Sequence, residues 1–194
     1  MQVFALSVLS TSLTPAFLSF PMPRKEGIGY TVGRVPIASC DFSTSVYSYA
    51  PDDGDFELQN FTTSMEVANG KVNLVQKAIA LSTKPQSRDK SQSLWLYASP
   101  WSAPAWMKTN GKMTGCGEKC TLKTGSFERT WAIYFKRFID EYHEKYNVKI
   151  SAVTVQNEPL AFSSGASWQN VSRVREVLRL SFALTGNRAF TQKL

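Results

Sequence analysis

Histidine is almost missing from this 194-residue sequence and cysteine is scarce: there is one histidine, His143, and three cysteines, Cys40, Cys116 and Cys120. A structural zinc site needs four Cys or His ligands. Cys116 and Cys120 form the one closely spaced pair and nothing in the sequence completes it, so no metal site is expected. An odd number of cysteines leaves at least one thiol unpaired or bonded outside the chain. Cys40 has no basic neighbour in sequence and reads as a small buried hydrophobe rather than a nucleophile. His143 falls on the charged side of a helix and reads as a surface residue. No GxGxxG follows the first strand, which counts against a dinucleotide fold, and no cofactor is implied. Long apolar runs are lacking too. The opening MQVFALSVLSTSLTPAFLSF is broken by serines, threonines and Pro15 and has no basic start or clean cleavage site. It reads neither as a membrane span nor as a convincing signal peptide, and residues 1–25 receive no assignment.

What is present argues for a folded core. Hydrophobic residues make up 43% of the sequence and aromatics 12%, too much apolar material for a disordered chain. The length suits one domain or a portion of a larger one. The net charge of +7 would suit an anionic partner. The basic residues are scattered, however, from Lys71 and Lys77 through Arg88 and Lys108 to Arg137. They form no stripe with interleaved aromatics, which argues against nucleic acid.

The chain alternates strand, long loop and helix. Gly29 to Pro36 reads as a short strand, and Ala38 to Thr63 as a long polar loop turning at Pro51-Asp52-Asp53-Gly54. The apolar spacing of Val72, Leu74, Val75, Ala78 and Ile79 predicts a helix over Lys71 to Leu81. A polar linker, STKPQSRDKSQS, leads to a buried strand over Leu94 to Ala98. After a turn-rich stretch with two tryptophans, Trp131, Tyr134, Phe135, Phe138 and Tyr142 mark a helix from Ser126 to Tyr146. A strand over Val148 to Gln156 follows. This βαβαβ order calls for parallel strands. Each strand end carries a polar or aromatic cluster, namely Cys40-Asp41-Phe42, Pro100-Trp101 with Trp106, and Asn157-Glu158. That favours a barrel, where functional residues gather at the C-terminal ends of several strands.

Glu158 is the leading candidate for chemistry. In a regular strand, alternation along ISAVTVQ places it on the face of Ala152, Thr154 and Gln156, with Val153 and Val155 opposite; a local bulge would break this parity. A carboxylic acid at a barrel mouth can protonate a glycosidic oxygen and then activate water; the alternative is a solvated strand-end glutamate. Asn157 suits a sugar hydroxyl beside the reacting carbon, or a turn before proline. Asp41 suits two sugar hydroxyls, or a cap on its own turn. Trp101 and Trp106 suit a sugar ring or the core, and at least one is expected in the core. Asn60-Phe61-Thr62 and Asn170-Val171-Ser172 are glycosylation sequons.

In these same blocks the sequence resembles the lysosomal glucosylceramidases, acid β-glucosidases of glycoside hydrolase family 30. The matching stretches are GIGY with RVPIASCDFS, LQNFT, ASPWSAPAWMKTNGKMTG, TWAIYFKRFIDEYHEKY and AVTVQNEP, all in order and spanning roughly residues 26 to 160. The resemblance implies an α/β fold, a partial (β/α)8 TIM barrel over residues 26–164 without the family's β-sandwich domain. Residues 165–194 form a tail of unassigned origin. It implies Glu158 as acid/base, Asn157, Asp41 and Trp101 as glucose-binding residues, Phe42 and Trp106 beside them, and a glycan at Asn60. It further implies retaining hydrolysis of glucosylceramide, lysosomal residence, and a saposin-type activator at an anionic lipid surface. A retaining enzyme needs a second carboxylate about 5–5.5 Å from the first. The one glutamate after Glu158, Glu176 in VSRVREVLRL, lacks a strand context, so no nucleophile is assigned and the chain alone is expected to be inactive. The competing readings are a β-glycosidase for another glycan, a non-catalytic carbohydrate- or lipid-binding remnant, and a truncated gene product.

Overall fold

The computed structural model of the chain describes residues 3–5, 31–82, 94–115 and 120–158. Four parallel strands lie side by side in chain order: β1 (Val3–Ala5), β2 (Val32–Ile37), β3 (Trp95–Pro100) and β4 (Ala152–Val153). Parallel neighbours need long crossovers, usually helical. Here α1 (Ser64–Ala68) and α2 (Lys71–Ser82) lie between β2 and β3, and α3 (Ser126–Tyr146) lies between β3 and β4. A three-residue 3-10 turn, Ala105–Met107, follows β3. The parallel βαβαβ reading therefore holds, and the linker 83–93 lies outside the described residues.

β2 and β3 pair along their whole length, from Val32 against Trp95 to Ile37 against Pro100. Val35, Ile37, Leu96 and Ala98 are buried and pack under the helices. The helix α3 has the bounds that its aromatic spacing predicts, and buries Trp131, Tyr134, Phe135, Phe138 and Tyr142. Asn147 closes it in the left-handed conformation, φ 54°, with its N–H on the His143 carbonyl and the Val148 N–H on that of Tyr142. Asparagine tolerates this backbone better than residues without a short polar side chain. Asn147→Ala is therefore expected to lower stability by about 1 kcal/mol, and Asn147→Gly to leave it nearly unchanged, in urea unfolding.

Three features depart from the sequence reading. The loop 38–63 is long but not merely decorated surface: it buries Tyr47, Tyr49, Ala50, Leu58 and Phe61. Tyr49 stacks on Tyr134, ring centroids 5.4 Å apart, and on Phe138 at 6.0 Å. The loop's last residues also turn into α1. The N-terminal segment contributes β1, paired from Val3 against Val32 to Ala5 against Arg34.

The third departure bears on the site. The expected strand over Val148 to Gln156 is a strand only at Ala152–Val153. The amides of Ser151, Thr154 and Asn157 donate in turn to the carbonyls of Leu96, Ala98 and Pro100. Three residues of this segment thus advance along every two of β3. Such bulging breaks the period-two alternation, so the common face expected for Ala152, Thr154, Gln156 and Glu158 does not carry through to Glu158.

Candidate active site

The middle of β2, the end of β3 and the segment that follows β4 are joined through one side chain that the sequence reading did not single out. Arg34, inside β2, donates from Nε to Ser99 Oγ at 3.0 Å and from Nη2 to Asn157 Oδ1 at 2.6 Å. Its guanidinium also lies 4.7 Å from the ring centroid of Trp101. An arginine has only donors, so this contact fixes the Asn157 amide with its oxygen toward Arg34 and its NH2 turned away. Burial pushes the Arg34 pKa down, and the charges of Tyr97, Glu158 and Cys40 push it back up. A guanidinium in an otherwise apolar strand, VGRVPI, was the available signal.

Asp41 sits on the turn after β2. Ser43 caps that turn: its Oγ accepts the Cys40 N–H at 3.0 Å. The Asp41 carboxylate accepts the indole N–H of Trp101 at 3.0 Å. Trp101 is buried, with Arg34 over its ring and Asp41 at its N–H. Gln156 donates from Nε2 to the Trp101 carbonyl at 2.8 Å, and Thr154 donates to Ser99 Oγ at 2.6 Å. The buried Gln156 Oε1 has no hydrogen-bond partner among the described residues.

Glu158 follows directly. It is exposed and adopts a left-handed backbone, φ 45°, a conformation costly for a residue other than glycine and one that gathers at functional sites. Arg34, Asp41, Trp101, Asn157 and Glu158 thus form one connected set, contributed by three strand ends. Phe42, next to Asp41 in the sequence, is 57% exposed. Trp106 does not join the set. Trp106 is in the core, its N–H on the Ala50 carbonyl at 3.0 Å and its ring against Phe56 and Phe127.

The remaining candidates fall elsewhere. Asn60 is exposed, with its amide on Asp52 Oδ2 at 2.8 Å, and Asn170 lies outside the described residues. Cys40 is free and buried, and Cys120 is disulfide-bonded. His143 is exposed. Among the described residues no group of three or more His, Cys, Asp or Glu side chains could hold a metal ion, and no helix is long and apolar enough to cross a membrane.

Lys108 stabilises the loop behind the site. It is fully buried, donating to Ser102 Oγ at 3.1 Å and the Met113 carbonyl at 2.9 Å. Burial pushes its pKa down to about 8 from 10.5. Between these values the unfolded chain holds a proton that the folded chain has released, so the Lys108 contribution to stability rises with pH across that window. Between pH 8 and 10 the urea midpoint of the wild type should therefore rise relative to that of Lys108→Met.

Parallel strands in chain order, helices between them, and polar side chains gathered at C-terminal strand ends define part of a (β/α)8 barrel, whose active sites lie on that face. The glycosyl hydrolase family 30 TIM-barrel domain matches residues 6–182, and the chain belongs to that family. The match begins before residue 26 and runs past residue 164, so it is wider than the stretch in which the sequence shows its resemblance.

The chain is 44% identical over 136 residues to the lysosomal acid glucosylceramidase of Mus musculus, covering 70% of this chain and 25% of that protein. An endo-1,6-β-D-glucanase of Neurospora crassa is 31% identical over 160 residues, or 79% of this chain and 28% of that one. The chain therefore spans about a quarter of the length of these relatives. Among solved structures, SrfJ from Salmonella typhimurium superposes with a TM-score of 0.69 at 29% identity, covering 88% of this chain and 36% of SrfJ.

Proposed function

We propose that the chain carries the sugar-binding and acid/base half of a retaining β-glycosidase that acts on glucosylceramide. The observation that carries this reading is the connected set at three strand ends. Asn157 is held by Arg34 with its NH2 turned away, Asp41 is held by Trp101, and Glu158 stands beside them. In this role Glu158 protonates the glycosidic oxygen as the bond to ceramide breaks. It then takes a proton from the water that releases glucose. Asn157 donates to the hydroxyl next to the reacting carbon, and Asp41 accepts from hydroxyls further round the ring. The nucleophile is assigned to none of this chain's carboxylates, so turnover is read in a chimera whose other part supplies one. Lysosomal residence, a glycan at Asn60, a saposin-type activator and an anionic lipid surface belong to the same reading. The net charge of +7 suits such a surface.

A second reading takes its support from the Neurospora crassa relative: the same residues serve a β-1,6-glucan. The two separate in a chimera in which residues 31–158 replace the matching segment of the mouse enzyme. Turnover of glucosylceramide without turnover of β-1,6-glucan supports the first reading. The reverse result supports the second, and a folded chimera that binds glucosides without turning over either substrate would make the segment a binding remnant.

A further inference from the structure

Two charged side chains lie fully buried away from the site, and nothing in the proposed chemistry uses them. Glu66 of α1 is 0% exposed and Lys71, the first residue of α2, is 1% exposed; they pair at 2.7 Å. Glu66 Oε1 also accepts the hydroxyls of Tyr47 and Tyr49, both at 2.8 Å, and Oε2 accepts that of Tyr142 at 2.6 Å. Lys71 donates to the carbonyls of Pro36 and Ala38 and to the Tyr47 hydroxyl. Each of these charged groups is paired and hydrogen-bonded.

The cluster converges on Ala38, the residue that leaves β2. Its carbonyl accepts Lys71 Nζ at 2.9 Å, and its N–H donates to the Tyr49 hydroxyl at 2.6 Å. Ala38 has φ 61°, a left-handed backbone that an alanine avoids unless its surroundings impose it. Asp41 follows three residues later. A buried ion pair is often no more stabilising than apolar residues of the same volume; what it does supply is direction, because its hydrogen bonds accept only one arrangement of the backbone.

We propose that Glu66 and Lys71 are positioning residues: through Ala38 they set the turn that aims the Asp41 carboxylate at the indole N–H of Trp101. The inference rests on the reading of Asp41 as a sugar-binding residue, since that role gives the aim a purpose. Its test does not depend on sugar.

The full chain is labelled with 15N at tryptophan, and the Trp101 indole signal is assigned by its loss in Trp101→Phe. Asp41→Ala gives the position and exchange rate of that indole once its acceptor is gone. The double variant E66Q/K71M keeps the packing but releases the Ala38 carbonyl. It is expected to move the Trp101 signal most of the way to its Asp41→Ala position and to speed its hydrogen exchange about tenfold or more. Val75→Ala, a core truncation on α2, should cost stability and leave the signal in place. Tyr49→Phe removes only the hydroxyl that links Ala38 to Glu66 and should move the signal in the same direction by less. If the double variant does not fold, Tyr49→Phe decides alone. A Trp101 signal unmoved in the folded variants, or moved equally by Val75→Ala, overturns the proposal. Unchanged glucoside turnover in the Asp41→Ala chimera would overturn the sugar-binding role separately, leaving the indole result intact.

Discussion

Replacing Glu158 by glutamine in the chimera with the mouse enzyme is expected to lower kcat/KM on glucosylceramide by about 10²- to 10⁴-fold, the range that a positioned general acid/base contributes. The amide keeps the size and the hydrogen-bonding oxygen of the carboxyl group but cannot give up a proton. The loss should depend on the leaving group. A β-glucoside of dinitrophenol needs no protonation as it departs, so its first step should survive and the release of glucose should become limiting. An equal loss on both substrates points to damaged binding rather than a missing acid, and steady-state kinetics on the two distinguishes the cases.

Glu66→Leu is expected to destabilise the chain by about 3–5 kcal/mol, the usual cost of leaving a buried charge without its partner. Lys71 would remain buried, with two carbonyls and a phenol as its remaining acceptors among the described residues. Tyr47, Tyr49 and Tyr142 would lose the acceptor they share. Burial first, and then the Glu66 charge, push these three phenols well above the ordinary range, so they stay protonated and donate. Since whole domains are stable by only about 5–15 kcal/mol, this single change should remove much of the urea resistance. Glu66→Gln, which keeps an acceptor oxygen, should cost less. Equal urea midpoints for wild type and Glu66→Leu would show that the cluster contributes nothing.

Local pattern made part of this structure legible. The helix over Ser126–Tyr146 could be read because five aromatics recur at helical spacing, and all five are buried. The apolar run over Leu94 to Ala98 announced β3, which extends on to Pro100, while β2 was legible in GYTVGRVP despite its glycines. The five-residue α1 is too short to show a period, and β1 is only three residues long. The bulging of β4 leaves no trace in composition, so the face of Glu158 could not be read from alternation.

The site shows the same division. Asp41, Trp101 and Asn157 could each be nominated from their place at a strand end, but their connection through Arg34 joins residues up to 123 positions apart. Trp106, with the same local context as Trp101, went to the core because Phe56 and Phe127 pack against it. Glu66 and Lys71 look like ordinary surface charges in sequence. Their mutual pairing, the three phenols and the carbonyls of Pro36 and Ala38, brought together by the fold, make their burial possible.

The most direct test of the acid/base role is chemical rescue of a Glu158→Ala chimera with the dinitrophenyl β-glucoside and sodium azide. If Glu158 is the base that activates water, azide needs no base and attacks the glucosyl-enzyme in its place. β-Glucosyl azide should then accumulate while turnover recovers. If turnover is unimpaired without azide, if no β-glucosyl azide forms in a folded chimera, or if the α-anomer forms in its place, Glu158 is not the acid/base.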